Sequence, residues 1–206
     1  LLIFGRVAEY VGKARLFSLG IALFTASSLA CGISPSLEML VLCRIFQATG
    51  GAMMFSISAA IIFLAFPKSE QGRAMGYIGS TVAMGSIIGP TLGGFIVDLL
   101  GWSYIFLINV PIGIAQMLLS TRYLRIEEKR CNDLEVDWIG ALTLIALIVS
   151  LMALLGQLSY GLALTPTIVI LALTFILSLA GFVINESRQK SPQLDLSIFR
   201  YRMFVL

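Results

Sequence analysis

The sequence has 206 residues, of which 58% are hydrophobic and only 12% are charged, with a formal net charge of +3. A soluble domain of this length carries about twice that share of charged residues, so the composition excludes an ordinary soluble domain. The sequence also lacks histidine, which excludes catalysis by a Ser-His-Asp or Cys-His arrangement and most zinc sites.

Long uncharged stretches predict membrane-spanning helices, because each can supply the roughly 20 residues that cross the bilayer hydrocarbon. The chain begins with the tail of a span at Leu1–Phe4 and a loop at Gly5–Arg15. Six complete spans then follow, at Leu16–Ile33, Met39–Phe66, Gly76–Val97, Trp102–Ser120, Trp138–Leu155 and Thr167–Ile184. We therefore predict an all-α polytopic membrane protein.

Polar segments predict the helix boundaries and the division of the chain. Ser36 is placed to accept hydrogen bonds from the free N–H groups of the second span, and Asp98–Gly101 predicts a tight turn. Breaks at Gly156–Gly161 and Pro166 turn the last apolar run into a hairpin. Four parts result: helices at 1–121, a charged linker at 122–137, the hairpin at 138–184, and a linker with the start of another span at 185–206. Because both ends lie within apolar sequence, we expect an internal fragment of a longer protein.

The fourteen Lys and Arg residues are distributed asymmetrically. One is Arg44, inside the second span, and the others all lie in loops on one side of the predicted membrane. This pattern predicts that those loops face the cytoplasm of a cell-membrane protein, and it explains the net charge without a nucleic-acid partner. The sequon at Asn185 would then lie on the cytoplasmic side, where it should not be glycosylated.

Arg44 is an unusual residue for its position. It lies about seven residues, or about 10 Å, inside the second span from the end predicted to be extracytoplasmic. A cation there costs a few kcal/mol. One interpretation is that the side chain extends to the nearby surface. The interpretation that we favour is a cation facing a partner or a water-filled cavity, with Gln47 on the same helix face and able to hydrogen-bond to it.

The third complete span is rich in glycine. The residues Gly85, Gly89 and Gly93 recur every four positions and form one face with almost no side chains, which we call the glycine stripe. Such a face permits close helix packing, and Pro90 bends the helix within it. Simple close packing and a bent seam in a moving protein both fit this pattern. The three cysteines, Cys31, Cys43 and Cys131, show no metal-ligand spacing, so we interpret two as small apolar residues within spans and one as a loop residue.

Three segments resemble motifs of the major facilitator superfamily. Gly5–Arg15 is similar to the cytoplasmic motif G-x-L-A-D-R-x-G-R-R between family helices 2 and 3, with Glu9 for its aspartate and Tyr10 for an arginine. Arg44–Gly51 is similar to the R-x-x-Q-G motif of helix 4. Gly85–Gly94 closely resembles the helix 5 motif of exporters.

Two further features resemble the drug:proton antiporters with fourteen helices. Trp102–Gly113 is similar to the beginning of their helix 6, and the short linker with its apolar hairpin favours this branch over the one with twelve helices. The helix 4 motif departs from the family at Ala48, which replaces its first glycine. The resemblance implies a partial major facilitator fold, from the end of helix 2 to the start of helix 9.

The resemblance also implies roles for these residues. Two helical bundles would rock about a central site and expose it to each side of the membrane in turn. A cytoplasmic gate loop would be formed by Gly5, Glu9, Gly12, Lys13 and Arg15. Proton coupling would involve Arg44 and Gln47. The exporter motif, which would seal the cavity, comprises Gly85, Gly89, Pro90, Gly93 and Gly94.

These features favour a proton-coupled exporter of amphipathic or cationic small molecules. Its partners would be that substrate, protons and the lipid bilayer, with no metal, no cofactor and no nucleic acid, and the oligomeric state stays open. Alternatives are a dedicated exporter of one metabolite or siderophore, an uptake permease, or a membrane scaffold that transports nothing. An intramembrane enzyme is disfavoured, because neither a histidine nor a pair of midspan aspartates is present.

Overall fold

The computed structural model describes residues 2–124, 137–159 and 166–188, and every regular element in those ranges is an α-helix. The helices are α1 (Leu2–Val11), α2 (Lys13–Gly32), α3 (Leu37–Ala65), α4 (Lys68–Leu100), α5 (Tyr104–Leu107), α6 (Asn109–Tyr123), α7 (Trp138–Ser159) and α8 (Pro166–Arg188). Six helical segments are long and apolar enough to span a membrane, with α5 and α6 counted as one. The all-α fold and the six predicted spans are therefore confirmed. Most of the two predicted linkers and the span expected at the end of the chain lie outside the described residues.

The chain divides into two compact units, Ile3–Leu134 with helices α1 to α6 and Glu135–Leu206 with helices α7 and α8. In the first unit, α2 is the central helix and packs against α3, α5 and α6. A small apolar core joins α1, α2 and α3 through Ala8, Leu16 and Ile57, which are at most 3% exposed. In the second unit, α7 and α8 pack against each other as the predicted hairpin.

The boundaries of α3 follow from capping. The Ser36 hydroxyl accepts a hydrogen bond from the Met39 amide at 3.3 Å, as the sequence predicts. At the other end, the Gln71 side chain donates to the carbonyl oxygens of Phe63 and Phe66, both at 3.1 Å. These carbonyls lie at the end of the helix, where no later N–H group of the same helix is available to bond to them. Pro67 then separates α3 from α4.

Three predicted boundaries are wrong because helices continue beyond their apolar parts. The expected loop at Gly5–Arg15 is helical except at Gly12, whose φ of 103° ends α1 and begins α2. Helix α4 begins at Lys68 instead of Gly76, and α7 continues through Gly156. Hydropathy marks only the part of a helix that lies in hydrocarbon. Charged residues of high helix propensity continue α1, α2 and α4 beyond it, whereas the continuation of α7 contains no charged residue.

Helices α2 and α3 approach closely at Gly20 and Gly50. A β-carbon on Gly50 would lie 2.6 Å from the backbone nitrogen of Phe24 and 2.8 Å from the carbonyl oxygen of Gly20. A β-carbon on Gly20 would lie 3.0 Å from the Gly50 carbonyl oxygen. The two backbones therefore touch, as small residues permit in membrane helices. Gly113 similarly lets α6 approach Thr25 of α2.

Four hydroxyl groups of α2 donate to carbonyl oxygens one turn earlier in the same helix. They belong to Ser18, Thr25, Ser27 and Ser28, at distances of 2.7–3.0 Å. Two of these residues also bond outside the helix, since Ser18 pairs with Ser120 of α6 at 2.8 Å and Ser28 accepts from α3. The polar groups of the central helix are thus satisfied within an apolar bundle, where an unsatisfied donor is costly.

The α7–α8 hairpin is joined by a buried carboxylate. Asp137 precedes α7, and its Oδ1 accepts from the Gly140 amide at 2.9 Å, which makes it the N-cap. Its Oδ2 accepts from the Asn185 side chain of α8 at 2.5 Å. A β-carbon on Gly140 would meet the same carboxylate, so a larger residue there would displace the Asp137 side chain from its present position.

We predict that Gly50→Ala lowers the free energy of unfolding by about 1–3 kcal/mol, because the new methyl group meets backbone atoms that cannot move aside. Gly51→Ala is the matched control, since its nearest neighbour is a Phe24 ring atom at 3.8 Å. Thermal unfolding of the two purified variants measures the difference. Equal stability of both variants would contradict the close contact between α2 and α3.

For the hairpin, we expect Asp137→Ala to lower the free energy of unfolding by about 1–3 kcal/mol, because it removes both the helix cap and the bond to α8. Asn185→Ala removes only the second bond, so its effect should be smaller, about 1 kcal/mol. Denaturant unfolding that reports on the hairpin gives both values. A larger loss in Asn185→Ala than in Asp137→Ala would contradict the capping role.

Candidate functional site

A series of hydrogen bonds begins at Arg44, the cation predicted within the second span. The Arg44 Nη1 donates to the Gln47 Oε1 at 3.1 Å, so the predicted bond between these residues is present. The Gln47 Nε2 donates to the Ser28 Oγ of α2 at 2.7 Å, and the Ser28 hydroxyl donates to the Phe24 carbonyl. Gln47 is 4% exposed and Ser28 is fully buried. The guanidinium is thereby tied to the contact between α2 and α3.

Arg44 has a second partner in the aromatic ring of Phe106. The guanidinium carbon lies 4.4 Å from the ring centroid, a favourable cation–π distance. Trp102 packs edge-on against the same ring, with centroids 6.3 Å apart and an interplanar angle of 79°. Phe106 is 6% exposed, so the ring is a buried platform for the cation.

Short helix α5 brings this ring to Arg44. A side chain on Gly32 would lie 2.6 Å from Leu107, so the missing β-carbon lets α5 pack against the end of α2. The turn before α5 is made by Gly101, whose φ is 95°, a region that side chains disfavour. The predicted tight turn is therefore present, although α4 continues through Asp98 to Leu100.

The partners of Arg44 are all electrically neutral. In residues 2–124, 137–159 and 166–188, the guanidinium forms no ion pair with a carboxylate. A guanidinium stays protonated in proteins, and neither an amide nor a hydroxyl titrates near neutral pH. These residues can hold a fixed positive charge on the membrane-spanning part of α3, where Arg44 is itself exposed and Gln47 and Phe106 beside it are buried.

The residues predicted to form the gate loop do not form a loop. Gly5 and Glu9 lie on α1, where Glu9 pairs with Arg6 one turn earlier at 3.8 Å. Both side chains of that pair are exposed, so the pair contributes little to stability. Lys13 and Arg15 lie in the first turn of α2, and Gly12 is the break between the helices. The charges remain together at one end of the bundle.

The glycine stripe has no packing partner among the described residues. A β-carbon on Gly85, Gly89, Gly93 or Gly94 would meet no atom within 4 Å. Helix α4 contacts α3 and α5, yet Ala74 is its only buried residue, and Pro90 lies within the helix without ending it. The close helix packing expected of the stripe is therefore not provided by this part of the chain.

A cavity of about 490 Å³ lies between α3 and α4. Its lining is mostly apolar and includes Phe55, Met75 and Val82, with hydroxyl groups from Ser58, Tyr77 and Thr81. Arg73 donates to the Tyr77 hydroxyl at 3.1 Å next to this cavity. An apolar wall with few polar groups suits an amphipathic molecule.

The sequence alone does not predict the roles of Ser28, which bonds to Gln47, and Phe106, whose ring contacts Arg44. Ser28 is 19 residues from Gln47, and its hydroxyl resembles the other helix-bonded hydroxyls of α2. Phe106 belongs to the Trp102–Gly113 segment that resembles family helix 6. That resemblance identifies the segment but does not indicate that the Phe106 ring contacts Arg44.

These features define a polytopic helical membrane protein with a fixed positive charge within one of its candidate membrane-spanning helices. The chain belongs to the Major Facilitator Superfamily, whose family model matches residues 1–186.

The similar curated proteins are named for multidrug resistance or for transport. Multidrug resistance protein 3 of Bacillus subtilis is 32% identical over 98% of this chain, and the probable multidrug resistance protein EmrY of Escherichia coli is 34% identical over 98%. The riboflavin transporter RibZ of Clostridioides difficile is 40% identical over 60% of this chain and 27% of its own length. The chain spans 40% of the length of each of the first two relatives.

We predict that Gln47→Leu lowers the free energy of unfolding by about 1–2 kcal/mol, because the Arg44 and Ser28 side chains both lose a partner. Gln47→Glu should lose less stability, since a carboxylate still accepts from Arg44, and it accepts from Ser28 once that hydroxyl turns away from the Phe24 carbonyl. Thr49→Val is the control, because the Thr49 hydroxyl bonds only within its own helix. Thermal unfolding compares the three variants, and equal loss in Gln47→Leu and Thr49→Val would show that Gln47 does not join the two helices.

Proposed function

We propose that this chain is part of a proton-coupled antiporter that exports amphipathic or cationic small molecules by alternating access. Membership of the Major Facilitator Superfamily and similarity to proteins named for multidrug resistance support this proposal. The apolar cavity with scattered hydroxyls supports an amphipathic substrate. The Lys/Arg-rich helix ends would face the cytoplasm of the cell membrane.

The observation that carries the proposal is Arg44 in a membrane span with only neutral described partners. A scaffold gains nothing from a cation within a membrane span, which costs a few kcal/mol to insert. A transporter can use the charge, because a fixed cation lowers the proton affinity of a carboxylate nearby. In this mechanism Arg44 does not bind or release the transported proton. It sets the protonation of a carboxylate outside the described residues, and Gln47 and Phe106 hold it in position.

The remaining sequence motifs take roles in the conformational cycle. Gly5, Glu9, Gly12, Lys13 and Arg15 would form the cytoplasmic gate. Because Gly12 is the only break between α1 and α2, a change in its backbone angles would move α1 against the bundle. The unpacked glycine stripe on α4, with Pro90, would receive a helix of the other bundle when the cavity closes on one side.

A second candidate function is a dedicated transporter of one metabolite. The observation that favours it is the 40% identity to a protein named as a riboflavin transporter, over 124 residues. A flat aromatic metabolite would also suit the apolar cavity lined by Phe55 and Tyr77. The two candidates share a fold and differ in substrate range, so a test with several unrelated substrates separates them.

The test uses the full-length protein in energised inside-out vesicles, with a preformed pH gradient and several unrelated lipophilic cations. We expect these cations to collapse the gradient. Arg44→Ala should reduce the response at least tenfold, because the carboxylate loses the charge that sets its proton affinity. Arg122→Ala is the matched control, since Arg122 is an exposed arginine at the end of α6 whose aromatic neighbour is Tyr123.

Three results decide between the functions. Collapse by several cations, lost in Arg44→Ala alone, supports the multidrug antiporter. Collapse by a single metabolite supports the dedicated transporter. An unchanged response in Arg44→Ala, with the protein inserted at the normal level, contradicts the coupling role of Arg44.

A further inference from the structure

The packing of α2 against α3 brings two cysteines together. The helices run antiparallel, and Gly20 contacts Gly50 while Ser28 bonds to Gln47. One turn beyond Ser28 on α2 is Cys31, and one turn before Gln47 on α3 is Cys43. The same register therefore makes these residues the next pair of neighbours, with side chains close enough to interact. The sequence spacing gave no sign of this pair.

The two thiols differ in accessibility. Cys31 is 0% exposed, whereas Cys43 is only partly buried, and neither is in a disulfide. A reagent can therefore reach Cys43, and Cys31 is held beside it out of solvent. This is the arrangement of an attacking thiol with a resolving thiol next to it.

We propose that Cys31 and Cys43 form a dithiol site that an external disulfide oxidises to an internal Cys31–Cys43 disulfide. The Cys43 sulfur attacks the external disulfide and releases one half of it as a thiol. The Cys31 sulfur then attacks the Cys43 sulfur of the mixed disulfide and releases the second half. Two electrons and two protons pass from the cysteine pair to the external disulfide, which leaves as two thiols.

The new bond would act directly on the Arg44 site. Cys43 precedes Arg44, and Arg44 lies close enough to Cys31 to interact electrostatically. A covalent link between α2 and α3 at this layer fixes the separation of Ser28 and Gln47. Oxidation would therefore stop any movement of α3 against α2. This functional consequence rests on the proposed transport activity, whereas the formation of the disulfide does not.

The experiment treats the full-length protein in membrane vesicles with 2,2′-dithiodipyridine, a membrane-permeant disulfide. Trypsin cleavage after Arg15 and Arg44 gives one peptide that contains both cysteines. We expect this peptide to lose both free thiols, to carry no pyridyl group, and to be lighter by the mass of two hydrogen atoms. Dithiothreitol should restore both thiols.

Variants make the assignment specific. In Cys31→Ser, Cys43 should retain a stable pyridyl adduct, because no resolving thiol is present. Cys131→Ser is the matched control and should behave as the parent protein. A peptide that carries two pyridyl groups, or that keeps both thiols while the protein is folded, overturns the proposal. Loss of transport on oxidation, absent in Cys31→Ser, tests the functional consequence separately, so failure of transport alone leaves the disulfide result standing.

Discussion

The backbone contact between Gly20 and Gly50 is the constraint on which the rest of the first unit depends. It fixes the register of α2 against α3, and that register places Ser28 beside Gln47 and Cys31 beside Cys43. Once the Gln47 side-chain nitrogen is held by Ser28 of α2, the side-chain oxygen Oε1 faces Arg44 on the same helix. A side chain at either glycine would separate the helices and loosen each of these contacts. The site is therefore a consequence of two missing β-carbons as much as of the polar residues.

The neutral partners of Arg44 explain how its cation can be held in place on α3 without being neutralised. A carboxylate in direct contact would pair with the guanidinium and hold it permanently. An amide oxygen and an aromatic ring stabilise the charge more weakly and leave its field available to groups farther away. The arrangement thus fits a residue whose charge acts on another group, which is the role proposed for it in transport.

The parts of the fold that follow from local sequence could be predicted, and the parts that depend on distant contacts could not. Runs of apolar residues gave the six spans, and spacing along one helix gave the Ser36 cap and the Arg44–Gln47 bond. The contacts of Ser28 and Phe106 depend on how separate helices pack, which hydropathy does not encode. The helical ends at Lys68 and in α1 were missed because polar residues of good helix propensity look like loops when only hydropathy is considered.

The hydroxyl bonds within α2 bear on how the protein enters the membrane during synthesis. Ser18, Thr25, Ser27 and Ser28 each donate to their own helix, so none of them needs a partner from another helix to be satisfied. Helix α2 can therefore leave the translocation machinery and rest in lipid alone, before α3 and α6 have been made. Each hydroxyl oxygen keeps lone pairs that can accept a bond from a helix inserted later. Gln47 of α3 bonds to Ser28 in this way, and Ser120 of α6 bonds to Ser18. The central helix can thus enter the membrane before α3 and α6, which later pack against it.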